Sequence, residues 1–383
     1  MSKILFFSGV PIDDAATFYR SGLVARKFTK MGYQTVFVSV SRNFKKEEKK
    51  KIASLPVFYI GQAHYSASKS FYLRKRLGIG RVLFENFKIC LRMFKLLKRE
   101  KPDRVLVITP MPVSLLVGFV AKVLGFRTFL DIEDLVSGQM EASGYPKILV
   151  KIYEYFEKVL VKIFDKVSVC SFYLQKRYPG SVILPNMVDF DFWRRRKRKM
   201  GDGKNIVFVG QMGVYHGQIE VLKKFASLLK ENNNLSFIFV GGGEIFEDLK
   251  SEILNLGLEK KVILTGQVSQ KKVREILQTC EVGILPLWDI PVHKARHPLK
   301  LLEYLASGLV VITNKVGEAE RIIKNGENGI LCPPGDIKCL VRKTEVIIRS
   351  PDLAKKIKRK AVDSVKDFSS EKILPKWIEF LEI

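Results

Sequence analysis

The chain has 383 residues, 66 Lys/Arg against 39 Asp/Glu, a net charge of +27 and 47% apolar residues. That length suits two domains, and the apolar content fills two cores and excludes a disordered chain. Five scattered cysteines without a CxxC pattern read as reduced thiols of a cytosolic protein. The opening MSKILFFSGVPIDD lacks the long apolar region and cleavage site of a signal peptide.

The charge is uneven. Residues 1–200 carry 38 Lys/Arg and 16 Asp/Glu, whereas residues 201–383 carry 28 and 23. An excess concentrated in one half suits an anionic partner surface, either nucleic acid or the cytoplasmic face of a membrane. No groove-reading motif accompanies it, so nucleic acid is disfavoured.

In chain order, a first strand over 3–8 runs into Ser8-Gly9-Val10-Pro11, where Gly9 is a weak phosphate-loop signal. A second strand covers 35–40. The segment SFYLRKRLGIGR mixes basic and aromatic residues. A helix over 83–99 follows, with Lys88, Arg92, Lys95 and Arg99 recurring at 4, 3, 4 spacing as one basic stripe between apolar faces. This pattern suits interfacial membrane contact, or a core helix with a wet edge. The most apolar stretch, 105–126, is broken by Pro110, Pro112 and Lys122, so it reads as strand 104–109, a turn and a helix, not a membrane span. Strand 128–131 ends in Asp131, Glu133 and Asp134. Crowded carboxylates raise one another's pKa and suit acid/base work, although loop acids also cap helices. Strands over 166–170 and 182–184 complete this set.

A break follows at 191–204, with six consecutive basic residues at 194–199 and two glycines after them. Such a run is a solvated linker or a headgroup contact. Further strands are expected over 205–210, 236–241, 262–266, 282–285, 310–313 and 329–331. Strands alternating with helical stretches imply two doubly wound parallel sheets, with ligands outside the carboxyl ends of the strands. At those ends lie VFVGQMGVYHGQ, where Gly210 and Gly217 admit a diphosphate and His216 adds charge or a donor, and Gly241-Gly242-Gly243-Glu244. HPLKLLEYLASG then places Glu303 on the first turn of an apolar helix, beside Lys300. Asp189-Phe190-Asp191 matches a DxD pattern, but no metal is inferred.

The ordered pieces ILPNMVDFDFW, FVGQMGVYHG, FIFVGGGE, VILTGQV, CEVGILPL, PLKLLEYLASGLVVIT and GENGILCPPGD resemble the family 4 (group 1) retaining glycosyltransferases of the GT-B fold. The resemblance implies an α/β fold of two doubly wound Rossmann-like domains facing across a cleft. Its divisions are an acceptor-binding domain over 1–190, a basic linker over 191–204, a nucleotide-sugar domain over 205–360 and a helix over 361–383 crossing back to the first domain. It implies transfer of a sugar from a nucleotide-diphosphate sugar to a saccharide acceptor, lipid-linked in view of the basic first half, in cell-surface polysaccharide or lipopolysaccharide assembly. Such an enzyme would work in the cytoplasm against the inner face of the membrane, with no cofactor and no metal.

Carried over residue by residue, Glu303 meets the ribose hydroxyls, and backbone near Leu299 and Lys300 meets the phosphates. Gly9, Gly210, Gln211, Gly217 and Gly242 complete the donor set. Glu133, Asp134 and His216 are the catalytic candidates, and Arg20 and Arg296 the phosphate-contact candidates. Four positions depart from the family pattern. Ala295 stands where a first glutamate is usual, Gln211 for Arg, His216 for Lys and Glu133 for His. Leaving-group charge then falls to His216, Arg296, Lys300 or Arg20. A non-catalytic partner subunit and a GT-B sugar-nucleotide epimerase are the alternatives.

Overall fold

Four consecutive apolar residues, Ile4 to Phe7, are fully buried in the first strand. A run with no polar alternation must be covered on both faces, as happens in a parallel sheet under crossover helices. The computed structural model describes residues 2–12, 18–52, 55–63, 65–67, 74–76, 78–194 and 204–383. The chain divides into two units. One holds Met1–Ser70, Arg74–Pro185 and Leu374–Ile383, and the other Asn186–Ile373. By this division the chain leaves the first unit after Pro185 and returns to it at Leu374. Most of the expected basic linker, residues 195–203, lies outside the described residues.

Unit 1 contains β1 (Lys3–Ser8), β2 (Gln34–Ser41), β3 (Glu48–Ile52), β4 (Leu55–Gln62), the pair β5 (Tyr65–Ala67) and β6 (Arg74–Arg76), β7 (Arg104–Ile108), β8 (Arg127–Ile132), β9 (Lys166–Val169) and β10 (Val182–Ile183). Its helices are α1 (Leu23–Lys30), α2 (Ile79–Glu100), α3 (Pro112–Val123), α4 (Val136–Ala142), α5 (Lys147–Leu160) and α6 (Phe172–Arg177). The sheet order is β10-β9-β8-β7-β1-β2-β4-β3, parallel except for β3. β3 and β4 were not expected from sequence. The lysines of EKKKI read as a charge run, yet lysines are what a protein uses to blunt an exposed edge strand. Right-handed crossovers place α2, α3 and α5 on one face of this sheet, where α2 packs on α3 and α3 on α5.

Unit 2 contains β11 (Lys204–Val209), β12 (Leu235–Val240), β13 (Val262–Leu264), β14 (Cys280–Leu285), β15 (Val310–Asn314) and β16 (Ile330–Cys332), all parallel in the order β13-β12-β11-β14-β15-β16. Its helices are α7 (Phe190–Trp193), α8 (Gln218–Glu231), α9 (Phe246–Asn255), α10 (Gln270–Thr279), α11 (Pro291–Ala295), α12 (Leu299–Ala306), α13 (Glu318–Ile322), α14 (Ile337–Arg349) and α15 (Pro351–Ser364). The final helix α16 (Ser370–Leu381) starts among unit 2 residues and ends among those of unit 1, where Phe380 packs edge-on against Phe129 at 5.5 Å. The strand order reverses between β11 and β14, which makes that gap the switch point of a doubly wound sheet.

One expectation about the cysteines is corrected. Cys332, ending β16, is bonded to Cys339 in the first turn of α14, their Cα atoms 5.8 Å apart. A strand end and a helix start that meet across a short loop bring two thiols within bonding reach. Cys90, Cys170 and Cys280 form no disulfide among the described residues.

Candidate functional site

The helix α12 is built from its sequence. Pro298 precedes its first residue, and its end closes in a Schellman motif. Leu309 N–H donates to Tyr304 O (3.1 Å), and Gly308 N–H, at φ +68°, to Leu305 O (3.0 Å). Leu301, Leu302 and Leu305 are fully buried, each stabilising by about 1.5–3 kcal/mol. Because α12 starts at Leu299, Glu303 is its fifth residue and lies on the second turn, one turn beyond Lys300. Among the described residues no side chain caps the amides of the first turn.

α12 follows β14 and its loop, so its N-terminus lies at the switch point beside the loop that follows β11. Lys300 turns toward that loop. Its Nζ stands 4.8 Å from the Phe208 ring centroid. A Cβ on Gly210 would lie 2.3 Å from that Nζ, so glycine there leaves the ammonium its place. Burial, with Arg296 nearby, pulls Lys300 down to about 8. Burial pushes Glu303 up to about 7, with Lys300 opposing. Both side chains remain partly accessible. A cation and a carboxylate thus face a region that holds neither comfortably, an arrangement common at binding sites.

The loops after β11 and β12 are stitched backbone to backbone. Met212 N–H donates to Gly242 O (3.0 Å) and Gly210 N–H to Val240 O (2.9 Å). A Cβ on Gly241 would lie 2.1 Å from Gly210 O, and one on Gly243 1.9 Å from Met212 O. Gln211 is exposed, and its carbonyl accepts from Gln218 Nε2 at 2.8 Å. Gly217, at φ +62°, starts α8 and leaves room for Trp288, whose ring would meet a Cβ at 2.1 Å. His216 is buried and stacks on His293 at 6.0 Å. Burial, then Arg296, Lys300 and His293, pulls His216 well below the usual imidazole range. His216 is therefore neutral and offers a donor rather than the charge that was one of its expected contributions.

Unit 1 holds the other candidates. Arg20, expected at a phosphate, is buried in a bidentate pair with Asp131 (2.9 Å to each oxygen). It also donates to Leu184 O (2.7 Å) and lies 5.2 Å from the Trp377 ring centroid. Glu133 Oε1 is 3.8 Å from Arg20 Nε. The strand-end acids are thus not three mutually repelling carboxylates, since Arg20 lies between two of them and Ser168 Oγ also donates to Asp131 (2.8 Å). Arg20 braces the fold of unit 1. Asp134 is partly buried beside this group. Gly9 packs on the start of α3, where a Cβ would meet Ser114 Oγ at 2.5 Å.

Three residues carry weight that sequence reading missed. Tyr304 is fully buried, and its hydroxyl accepts from Val209 N–H (2.7 Å), fixing the end of β11. A tyrosine among core aliphatics needs such a partner, and that was the available signal. Phe208 supplies the face under Lys300 and had no signal beyond its strand. Thr109 closes β7 in the left-handed region at φ +56°, rare for a β-branched residue, and nothing in its sequence context announces that.

Residues 189–363 match the family model described as glycosyl transferases group 1. A 2-deoxystreptamine N-acetyl-D-glucosaminyltransferase of Niallia circulans is 25% identical over 179 residues, covering 47% of this chain and 45% of that protein. An alpha-1,4-N-acetyl-D-galactosaminyltransferase of Campylobacter jejuni, whose name includes "diNAcBac-PP-undecaprenol", is 22% identical over 301 residues, 77% of this chain and 79% of that one. The chain spans about half or less of the length of the first curated relatives it matches. Anabaena HepE in complex with UDP-glucose superposes with a TM-score of 0.73 at 15% identity over 100% of both chains. The chain therefore has the GT-B fold, and its residues 189–363 match the group 1 glycosyl transferase family model.

Proposed function

We propose that the protein transfers a sugar, with retention at the anomeric carbon, from a nucleotide-diphosphate sugar to a saccharide acceptor. The observation that carries this reading is the Lys300–Glu303 pair on α12 at the switch point of unit 2, with the Lys300 ammonium set against Gly210. Glu303 accepts from the ribose hydroxyls as an acceptor-only carboxylate. The uncapped amides at Leu299 and Lys300, with the Lys300 and Arg296 charges, receive the diphosphate. His216 supplies a neutral N–H close by. In the transfer the anomeric carbon–phosphate oxygen bond breaks, the acceptor oxygen bonds to that carbon, and its proton leaves with the nucleotide phosphate. The positive groups of unit 2 stabilise the charge that develops on the departing diphosphate. Glu133 and Asp134 are the unit 1 groups assigned to the sugar. The reading takes no metal and no organic cofactor.

HepE was solved with UDP-glucose, which supports a nucleotide-sugar donor. The undecaprenol in the Campylobacter relative's name supports a lipid-linked acceptor, and with it a role in surface polysaccharide assembly at the inner face of the cell membrane. A thermal-shift panel of UDP-, ADP-, GDP- and dTDP-sugars tests the donor reading. At least one should raise the melting temperature, and a panel that shifts nothing would count against it.

A further inference from the structure

Three helices of unit 1 present apolar stripes to solvent. On α2, Phe84, Phe87, Leu91 and Phe94 recur at 3, 4, 3 spacing and are exposed, while Ile89, Met93 and Leu97 on the opposite face are buried. On α3, Phe119 and Val123 are exposed, the latter at 69%. On α5, Ile148, Ile152, Tyr155 and Val159 follow helical spacing and are exposed, Tyr155 at 68%, while Val150 and Tyr153 face inward. The right-handed crossovers put these helices side by side in one layer, so the stripes form a single face. Monomeric proteins rarely show so much contiguous apolar surface without a partner for it.

The charge around the face indicates which partner. The three helices carry ten Lys/Arg against four Asp/Glu. Lys88 Nζ stands 4.1 Å from the Phe84 ring centroid and Lys98 Nζ 4.4 Å from that of Phe94. Lys95, Lys151 and Lys158 are exposed on the same helices. Aromatic and aliphatic groups interleaved with lysines suit the boundary between headgroups and acyl chains of an anionic bilayer. The basic stripe read from the sequence of α2 is not all on this face. Arg92 turns to β4, donating to Ile60 O (3.0 Å) and pairing with Glu47 (3.2 Å). No helix among the described residues is long and apolar enough to cross a membrane.

We infer that the outer face of α2, α3 and α5 docks on the surface of an anionic lipid bilayer. The inference rests on unit 1 alone and stands or falls separately from nucleotide binding by unit 2. The lysines draw the face to the surface and the aromatic side chains enter the headgroup layer.

Flotation of the full chain tests it, with vesicles of phosphatidylcholine alone and of phosphatidylcholine with phosphatidylglycerol. The protein should float with the anionic vesicles at low salt and less at high salt, as screening requires. Combining Phe87→Ser, Phe119→Ser and Tyr155→Ser should reduce the bound fraction at least about tenfold with an unchanged melting temperature, because all three side chains are exposed. Lys95→Glu with Lys151→Glu should weaken binding to the anionic vesicles at low salt. This pair decides the matter if the triple variant melts abnormally. Absence of wild-type flotation at low salt would overturn the inference, and so would unimpaired flotation of the variants. A wild-type dimer that the triple variant converts to monomer, without vesicle binding, would assign the face to a second copy of the chain instead.

Discussion

Lys300 and Glu303 sit one turn apart, and pH separates their contributions. Glu303, raised to about 7, is protonated below that value and stops acting as a pure acceptor. Lys300, lowered to about 8, loses its charge above that value. Affinity for the nucleotide sugar that binds should therefore peak between about pH 7 and pH 8 and fall on both sides, by at most about tenfold per unit. Calorimetric titration across that range checks this, and a flat profile would show that neither group meets the ligand. Gly210→Ala should displace the Lys300 ammonium and weaken binding about tenfold. It should also cost about 1 kcal/mol or more in stability, because φ is +145° there. Gly257→Ala, at φ +63° in open space, carries similar strain away from the site, and should lower stability without changing affinity. Glu303 was legible in the sequence as a carboxylate misplaced in an apolar helix. The pairing of Arg20 with Asp131 was not legible, because the two are 111 residues apart and no local pattern reveals a bidentate pair over that separation.

That pair ties elements together. Arg20 joins the turn before α1 to the end of β8, to Leu184 and to Trp377 of α16. Asp131→Ala would leave its guanidinium buried without that carboxylate, which costs about 3–5 kcal/mol. Chemical denaturation should show a loss of that order. Arg20→Met combined with Asp131→Leu should recover part of it, since both charges of the buried pair are then gone while Glu133 and Leu184 O lose their Arg20 partner. A near-neutral Asp131→Ala would mean that Arg20 is not a brace and would reopen its phosphate role. Elements were legible wherever the apolar pattern was strong, as in all twelve strands expected from sequence, each of which has a counterpart within a residue or two. β3 and β4 were hidden because one reads as a lysine run and the other carries Pro56 near its start.

At the level of the whole chain, the two sets of strands foretold the two large sheets. The family model covers residues 189–363, where the ordered motifs are densest. Sequence alone could not tell which side of α2 would be outermost, because its pattern of apolar faces and basic stripe fits a buried or an exposed helix equally. Tertiary packing decided it by burying Ile89, Met93 and Leu97 and leaving the phenylalanines outside. Donor binding is proposed for unit 2, and a titration with nucleotide sugars decides it. Wild-type protein and Glu303→Ala are titrated calorimetrically with UDP-glucose, ADP-glucose, GDP-mannose and dTDP-glucose. At least one donor should bind the wild type, and Glu303→Ala should weaken it about ten- to a hundredfold, the worth of a hydrogen bond to a charged group. Binding of no donor, or an affinity unchanged by Glu303→Ala, would contradict the account.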